Sequence, residues 1–265
     1  MRRALHLTLR RAALVLMVAF TSPALAGTAE DPSELTLTWE GARVWLPDAP
    51  TEANGVQVLK DARGSAVVLY AHGCDGLSRI TDETAGFLAK AGLVVIAPDS
   101  FSRAEKPVSC IAARQEGSLH RRVLAWRQAE LTHALEHLHA IPALRGLPVV
   151  LMGHSEGGIA VATWTGLPVA ARIIEGWTCH AGWPEYRGLN APQDEPVLTL
   201  VGEADPWFLL PVLQGDCGAF MAGHARAQSV VYRAPHYLHR RHWLSHDSKV
   251  QTMILDFIAT SLPKP

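Results

Sequence analysis

Gly153-His154-Ser155-Glu156-Gly157 is a G-x-S-x-G sequence that follows the apolar run 147–152 and precedes a second apolar run at 159–162. This order predicts a strand, a tight turn and a helix, with Ser155 at the turn. Such a turn exposes the serine Oγ at the end of a strand, where a histidine can remove its proton. Glycine suits the flanking positions because the strained backbone packs closely there. An ordinary Gly/Ser loop is the alternative interpretation.

Apolar runs alternate with helical patterns on both sides of this turn. Buried strands are predicted at 67–71, 93–97, 148–152, 171–177, 197–201 and 229–232, and helices at 82–91, 118–140, 156–165 and 251–259. Two earlier segments, 35–39 and 43–46, alternate like antiparallel strands. The pattern predicts one α/β domain over residues 27–265, with a mostly parallel sheet covered by helices on both faces.

The first 26 residues have the pattern of a secretory signal peptide. Four arginines precede the short apolar run 12–20, and Ala24-Leu25-Ala26 matches an A-x-A cleavage site. Cleavage after Ala26 would leave 239 of the 265 residues in a periplasmic or secreted protein. The apolar run is too short to span a bilayer, and no later run is longer, so we expect no membrane association after cleavage. An uncleaved anchor is the alternative.

The charge balance argues against nucleic acid as a partner. The formal charge is −1, and removing four arginines without any acidic residue would change it to about −5. No basic stripe is present that could neutralise phosphates. The oligomeric state is not encoded in any pattern of the sequence.

Four cysteines remain after the signal segment: Cys74, Cys110, Cys179 and Cys217. An even number in an oxidising compartment predicts two disulfides, and three pairings are possible. Zinc binding is the alternative, but there is no C-x-x-C pair and the spacings are long. We therefore expect no metal at these cysteines.

A serine nucleophile needs a base and a carboxylate that orients the base. Asp205, in the loop after strand 197–201, is the predicted acid, and Glu203 is the alternative. His236 is the first histidine after strand 229–232 and is the predicted base. The order Ser155, Asp205, His236 is the order that the α/β-hydrolase arrangement requires.

Other histidines compete with His236. His239, His242 and His246 follow it closely, and the four together could instead form a metal site. A polar histidine-rich loop is the simpler interpretation. His154 lies inside the turn and is expected to pack against its neighbours, because a side chain next to the nucleophile points away from it.

The oxyanion formed from an attacked carbonyl needs two backbone N–H donors. The residue after the nucleophile, Glu156, is predicted to supply one. The loop after strand 67–71 is predicted to supply the other, and the Cys74 amide is the best placed there.

These segments together resemble the dienelactone hydrolase family of the α/β-hydrolase superfamily. The similarity rests on His72-Gly73-Cys74-Asp75-Gly76, Pro98-Asp99-Ser100-Phe101, 153–158, 201–207 and 231–236, and it covers about 56–260. It implies an eight-stranded sheet and hydrolysis of small-molecule esters or lactones without a cofactor. Two features depart from the family: Ser155 replaces the cysteine nucleophile of its best-known members, and Tyr237 follows His236 where phenylalanine is usual.

The resemblance also bears on the cysteines and the alternatives. Exported members of the family favour the pairs Cys74–Cys110 and Cys179–Cys217.

A peptidase of prolyl-oligopeptidase type has a similar turn sequence, but the chain has no room for that group's usual extra domain. A non-enzymatic protein that binds a metal or a partner through its histidines is the third hypothesis. Aromatic residues at 177, 183, 207 and 208 suggest an apolar pocket.

Overall fold

A computed structural model describes residues 28–117 and 120–263. Within them, eight strands form one sheet in the order β2-β1-β4-β3-β5-β6-β7-β8. The strands are β1 (Arg43–Leu46), β2 (Ala49–Asn54), β3 (Val67–Ala71), β4 (Val94–Ala97), β5 (Val149–His154), β6 (Ala171–Glu175), β7 (Val197–Gly202) and β8 (Ala227–Tyr232). β3 to β8 run parallel to one another, and β1 pairs antiparallel with β2 and β4.

Helices cover both faces of the sheet, as the sequence predicts. They are α1 (Pro32–Glu40), α2 (Arg79–Lys90), α3 (Arg122–Ala140), α4 (Glu156–Thr163) and α5 (Ser248–Ser261). Side chains alternate across β3, so that Val67 and Leu69 pack with α1, α3 and α4, while Val68 and Tyr70 pack with α2 and α5. Because β3 to β8 are parallel, their carboxyl ends all lie along one edge of the sheet.

The segment 35–39 is a helix, and the prediction of a strand there was wrong. Asp31 caps the helix by accepting a hydrogen bond from Ser33 N over 2.9 Å, and proline occupies the first helical position. The buried residues are Leu35, Thr38 and Trp39, which lie on one helical face. The cap and this spacing outweigh the alternating pattern that suggested a strand.

The remaining predicted elements are present with shifted ends. The strand 171–177 ends at Glu175, and the helix 118–140 begins at Arg122. The edge strand β2 was not predicted, because none of its residues is buried and its sequence has no apolar run. The predicted signal peptide lies outside the described residues, and within those residues no helix is both long and apolar enough to span a membrane.

Candidate active site

Ser155 sits on a strained turn between β5 and α4. Its backbone has φ 57° and ψ −120°, a region that residues with a side chain rarely adopt. The neighbouring glycines are required by close packing: a Cβ on Gly153 would overlap the Gly157 carbonyl, and a Cβ on Gly157 would overlap the Ala71 carbonyl. The Ser155 amide donates to the Glu175 carbonyl over 2.9 Å. The sequence motif thus forms the predicted strand–turn–helix.

Asp205 lies directly after β7 and pairs with a histidine. Its side chain is buried, and Oδ1 accepts a hydrogen bond from Trp207 N over 3.0 Å. The other oxygen, Oδ2, lies 2.7 Å from His242 Nδ1. Because an ionised carboxylate only accepts, Nδ1 carries the proton of this hydrogen bond. His242 Nε2 is therefore the basic nitrogen of the neutral ring, and it is buried without a hydrogen-bond partner among the described residues.

The pairing of Asp205 with His242 differs from the predicted pairing with His236. His236 Nδ1 accepts from Leu238 N over 3.1 Å, and its ring stacks on Tyr237 at 4.5 Å between centroids. The first histidine after β8 is thus engaged in a local turn. The chain makes several further turns before it brings residue 242 back over the end of β7, where the His239 carbonyl accepts from Ala204 N over 2.8 Å.

The other residues considered for the acid and base lie elsewhere. Glu203 is directed toward the β8 exit, with Oε2 3.4 Å from Ala234 N. His239 and His246 each place Nδ1 2.6 Å from a backbone carbonyl three residues earlier. Within residues 28–117 and 120–263, no group of three or more His, Cys, Asp or Glu side chains is arranged to hold a metal ion.

Aromatic neighbours pack against the His242 ring. Its ring stacks against Trp207, with centroids 5.3 Å apart, and meets the edge of His154 at 4.9 Å. Burial lowers the pKa of His154 well below its ordinary value, and His242 lowers it further. His154 is therefore neutral near pH 7 and packs against its neighbours, as the sequence predicts.

Glu175, at the end of β6, anchors the loop that carries His242. Its carboxylate is fully buried and accepts from Leu244 N over 2.5 Å, Ser245 N over 2.6 Å and Ser245 Oγ over 2.9 Å. Burial raises the pKa of this carboxyl, and the hydrogen bonds from residues 244 and 245 oppose that rise. This residue was not identified from the sequence, since its role depends on a contact across 70 residues.

The loop after β3 lies against Ser155. A Cβ built on Gly73 would lie 3.5 Å from Ser155 Cβ, so the predicted oxyanion loop and the nucleophile are in contact. Neither the Cys74 amide nor the Glu156 amide donates a hydrogen bond to another described residue. Both are free to serve a ligand in the way the sequence predicts.

Both disulfides favoured by the family resemblance are confirmed. Cys74–Cys110 joins the oxyanion loop to the irregular segment 100–117, with Cα atoms 5.9 Å apart. Cys179–Cys217 joins the loops after β6 and β7, with Cα atoms 4.9 Å apart. The residue beside the first bridge, Ser109, also donates a hydrogen bond to the Glu156 carboxylate.

A buried polar cluster supports the oxyanion loop from below. Arg127 on α3 donates to the His72 carbonyl over 2.5 Å and lies 3.9 Å from Glu156 Oε1. Burial and then the Arg127 charge lower the pKa of His72 well below its ordinary value, so this histidine is neutral. Its Nε2 accepts from Ser100 N over 3.2 Å. The Pro-Asp-Ser-Phe segment thus holds the loop in place.

Two hollows of about 270 Å³ each meet at Ser155. The first, called here the aromatic hollow, is lined mainly by Trp177, Trp183, Tyr186, Trp207, Phe208 and Leu213. The second, called the histidine-side hollow, is lined among others by Gly76, Ile80, Thr81, Ala112, His242 and Trp243. Cys74, Ser155 and Trp207 border both. Ser155 therefore separates a mainly apolar chamber from one that contains His242.

Comparisons with known proteins identify the fold. No family model matches the sequence, and a search of curated proteins gives no match. Among solved structures, a candidate dienelactone hydrolase from Klebsiella pneumoniae has TM-score 0.53 and 19% identity, covering 74% of this chain and 88% of that one. A Pyrococcus furiosus esterase has TM-score 0.52 and 14% identity, covering 74% and 83%.

A third structure covers more of the chain. An α/β serine hydrolase without a lid from Xanthomonas campestris has TM-score 0.51 and 13% identity, covering 84% of this chain and 90% of that one. At such identities the likeness concerns the fold. The chain has the α/β-hydrolase fold, and its structural neighbours are dienelactone hydrolase-like proteins and other α/β serine hydrolases.

Proposed function

We propose that the chain is a serine hydrolase that cleaves carboxylic esters or lactones through an acyl-enzyme. The observation that carries the proposal is the 2.7 Å hydrogen bond between Asp205 and His242, together with the position of His242 in the same hollow as Ser155, which sits on a strained turn. A serine hydroxyl becomes a nucleophile when a neutral imidazole can take its proton. The assignment of His242 as the base replaces His236 in the proposed triad.

In the first half of the reaction, the Ser155 proton moves to His242 Nε2 as Oγ bonds to the substrate carbonyl carbon. The Cys74 and Glu156 amides stabilise the negative oxygen of the tetrahedral intermediate. Asp205 stabilises the imidazolium through Nδ1. The intermediate then collapses, the bond to the leaving oxygen breaks, and that oxygen takes the proton from Nε2.

In the second half, water replaces the alcohol. His242 Nε2 removes a proton from the water as its oxygen bonds to the acyl carbon, and the same two amides hold the oxyanion again. Collapse breaks the bond to Ser155 Oγ, which regains a proton from the imidazolium. The products are a carboxylic acid and an alcohol, or a single hydroxy acid from a lactone. Bonds and protons balance in both half-reactions without a cofactor.

Labelling with a fluorophosphonate and mapping of the labelled peptide tests the nucleophile directly. We expect the label on Ser155, and we expect Ser155→Ala to lose hydrolysis of p-nitrophenyl acetate by a factor of at least about 10³. Ser248→Ala, which changes an exposed serine at the start of α5, is the matched control and should keep full activity. Equal activity in Ser155→Ala and the control would overturn the proposal.

The same preparation separates the alternative hypotheses. Hydrolysis of a peptide panel without hydrolysis of esters would favour the peptidase of prolyl-oligopeptidase type. A stoichiometric metal in protein purified without an affinity tag, together with no label on Ser155, would favour the non-enzymatic metal-binding protein.

We also propose that the protein is exported to the periplasm or secreted. Two disulfides support this location, because such bonds persist in oxidising compartments. N-terminal sequencing of the protein recovered from the periplasm or the medium should begin at Gly27. A mature chain that still begins at Met1 would contradict cleavage. The proposed partner is a small-molecule ester or lactone, not nucleic acid or a membrane.

A further inference from the structure

The position of the base assigns different halves of the substrate to the two hollows. In the proposed mechanism, His242 gives its proton to the leaving oxygen, so the leaving group must lie on the histidine side of Ser155. His242 lines only the histidine-side hollow. The acyl portion of the substrate then extends into the aromatic hollow.

The aromatic hollow has apolar walls and unused polar atoms. Trp177 Nε1, Tyr186 Oη and Glu156 Oε1 are buried and have no hydrogen-bond partner among the described residues, although Glu156 Oε1 faces the Arg127 guanidinium at 3.9 Å. All three residues line this hollow, and their exposed fractions are only 3%, 1% and 6%. Rings surround them: Trp177 meets Phe208 edge-on at 5.6 Å, and Trp183 meets Tyr186 edge-on at 5.3 Å.

Unpaired buried polar atoms destabilise a folded protein unless a ligand or water completes their hydrogen bonds. The three atoms have complementary capacities. The indole N–H only donates, the carboxylate oxygen accepts, and the phenol hydroxyl can do both. Burial, and then the Glu156 charge, raises the pKa of Tyr186; both residues line this hollow and do not hydrogen-bond to each other.

A hydroxyl group on the substrate matches this set, because it can accept from an indole and donate to an oxygen. We propose that the aromatic hollow is an acyl site for groups with an apolar, aryl-sized body that bears a hydroxyl, and that Trp177 and Tyr186 determine this specificity. The inference rests on the proposed hydrolase function and names the substrate class within it. Aromatic walls favour a ring in the acyl group, since ring pairs gain edge-to-face contacts.

The test compares p-nitrophenyl 3-phenylpropanoate with its 3-hydroxyphenyl and 4-hydroxyphenyl analogues. We expect kcat/KM for at least one hydroxylated ester to exceed that of the parent ester by about tenfold, the gain typical of one hydrogen bond to a buried group. In Tyr186→Phe this ratio should fall toward one. Tyr232→Phe removes a phenol hydroxyl outside the hollow and should keep the wild-type ratio.

A second measurement needs no variant and therefore does not depend on its folding. The free 3-(hydroxyphenyl)propanoic acids should inhibit the wild-type enzyme competitively with a Ki about tenfold below that of 3-phenylpropanoic acid. Equal inhibition constants together with equal kcat/KM values would overturn the inference, and so would an unchanged ratio in a folded Tyr186→Phe. A wild-type enzyme that labels at Ser155 but shows no hydroxyl preference refutes only this inference. Failure to label refutes the hydrolase proposal as well.

Discussion

His242 Nδ1 lies 2.7 Å from Asp205 Oδ2, although the two residues are separated by 37 positions in the sequence. Three other histidines lie in the same loop, two before His242 and one after it. The carboxylate is buried and its other oxygen is occupied by the Trp207 amide, so only one oxygen is available to a histidine. The ring is held between Trp207 and His154. The pair therefore has a fixed tautomer and a fixed orientation, which a general base requires.

Separate replacement of His242 and His236 should show which of the two acts as the base. We expect His242→Gln to lower kcat/KM for p-nitrophenyl acetate by at least about 10³-fold, since the proton acceptor is lost. His236→Gln should remain within about threefold of wild type, because its ring only supports a local turn. Both variants should be measured beside their circular dichroism spectra. A severe loss in His236→Gln alone would restore the base predicted from the sequence.

Glu175 should act as a positioning residue for the base. Glu175→Leu removes the acceptor of two buried N–H groups and should destabilise the protein by about 1–3 kcal/mol for each group left unpaired. We expect kcat to fall by about 10-fold or more with a smaller change in KM, because the loop at 244–245 is no longer fixed. Glu175→Gln retains one oxygen acceptor, so it should lose less stability and less kcat than Glu175→Leu.

The control for Glu175 is Glu83→Leu, which removes an exposed carboxylate on α2. It should change neither the unfolding free energy nor kcat appreciably. If Glu175→Leu lowers stability while kcat is unchanged, Glu175 is a structural residue only, and the positioning role is refuted.

The two disulfides should differ in their effect on activity. They close loops of similar length, with sequence separations of 36 and 38, so removing either should lower the unfolding free energy by a similar amount, about 4 kcal/mol. Only Cys74→Ala/Cys110→Ala frees the loop that carries a proposed oxyanion donor. We expect kcat to fall about 10-fold or more in this variant, measured well below its unfolding temperature.

The second bridge provides the matched control. Cys179→Ala/Cys217→Ala should keep kcat near wild type under the same conditions. Equal losses of kcat in both double variants would indicate a general loosening of the fold and not a specific effect on the oxyanion loop.

The buried His154 should make the folded state sensitive to acid. Burial lowers its pKa in the folded protein, whereas the unfolded chain binds a proton near pH 6.5. Its stabilising contribution is therefore complete above about pH 6.5 and is lost as the pH falls from there toward the folded pKa. The loss should approach about 1.4 kcal/mol per pH unit in that window.

Urea unfolding of wild type and His154→Gln between pH 8 and pH 5 measures this contribution. We expect the wild-type unfolding free energy to fall more steeply below pH 6.5 than that of the variant. The difference between the two curves gives the contribution of His154 alone. Glu156 and Glu175 are present in both proteins, and their raised pKa values make the folded state more stable, not less, as the pH falls. His139→Gln changes an exposed histidine on α3 and should follow the wild-type curve.

Local patterns were sufficient to predict the sheet and the nucleophile turn. The buried strands are short apolar runs, and the turn at Ser155 has glycines wherever a side chain would collide with backbone. The segment 35–39 was predicted wrongly because an alternating pattern fits both a strand edge and one face of a short helix. The Asp31 cap and Pro32 were the signals that could have identified the helix.

The base was harder to predict because its position depends on contacts between distant segments. Counting from the end of β8 favours His236, yet His242 is brought to Asp205 by the turns after residue 236 and by the Glu175 anchor. Neither contact has a local signature. The unpaired polar atoms of the aromatic hollow also have no signature in the sequence, since Tyr186 and Trp177 line one hollow only when the loop after β6 is folded.

Through Glu175, strand β6 holds two segments of the site together. The Glu175 carbonyl receives the Ser155 amide, and its carboxylate receives the amides of residues 244 and 245. One residue of a strand that carries no member of the proposed triad thus connects Ser155 to the loop of His242. The separation between Ser155 and the loop of His242 is thus fixed from β6, across the sheet, as well as by the turns of the loop itself.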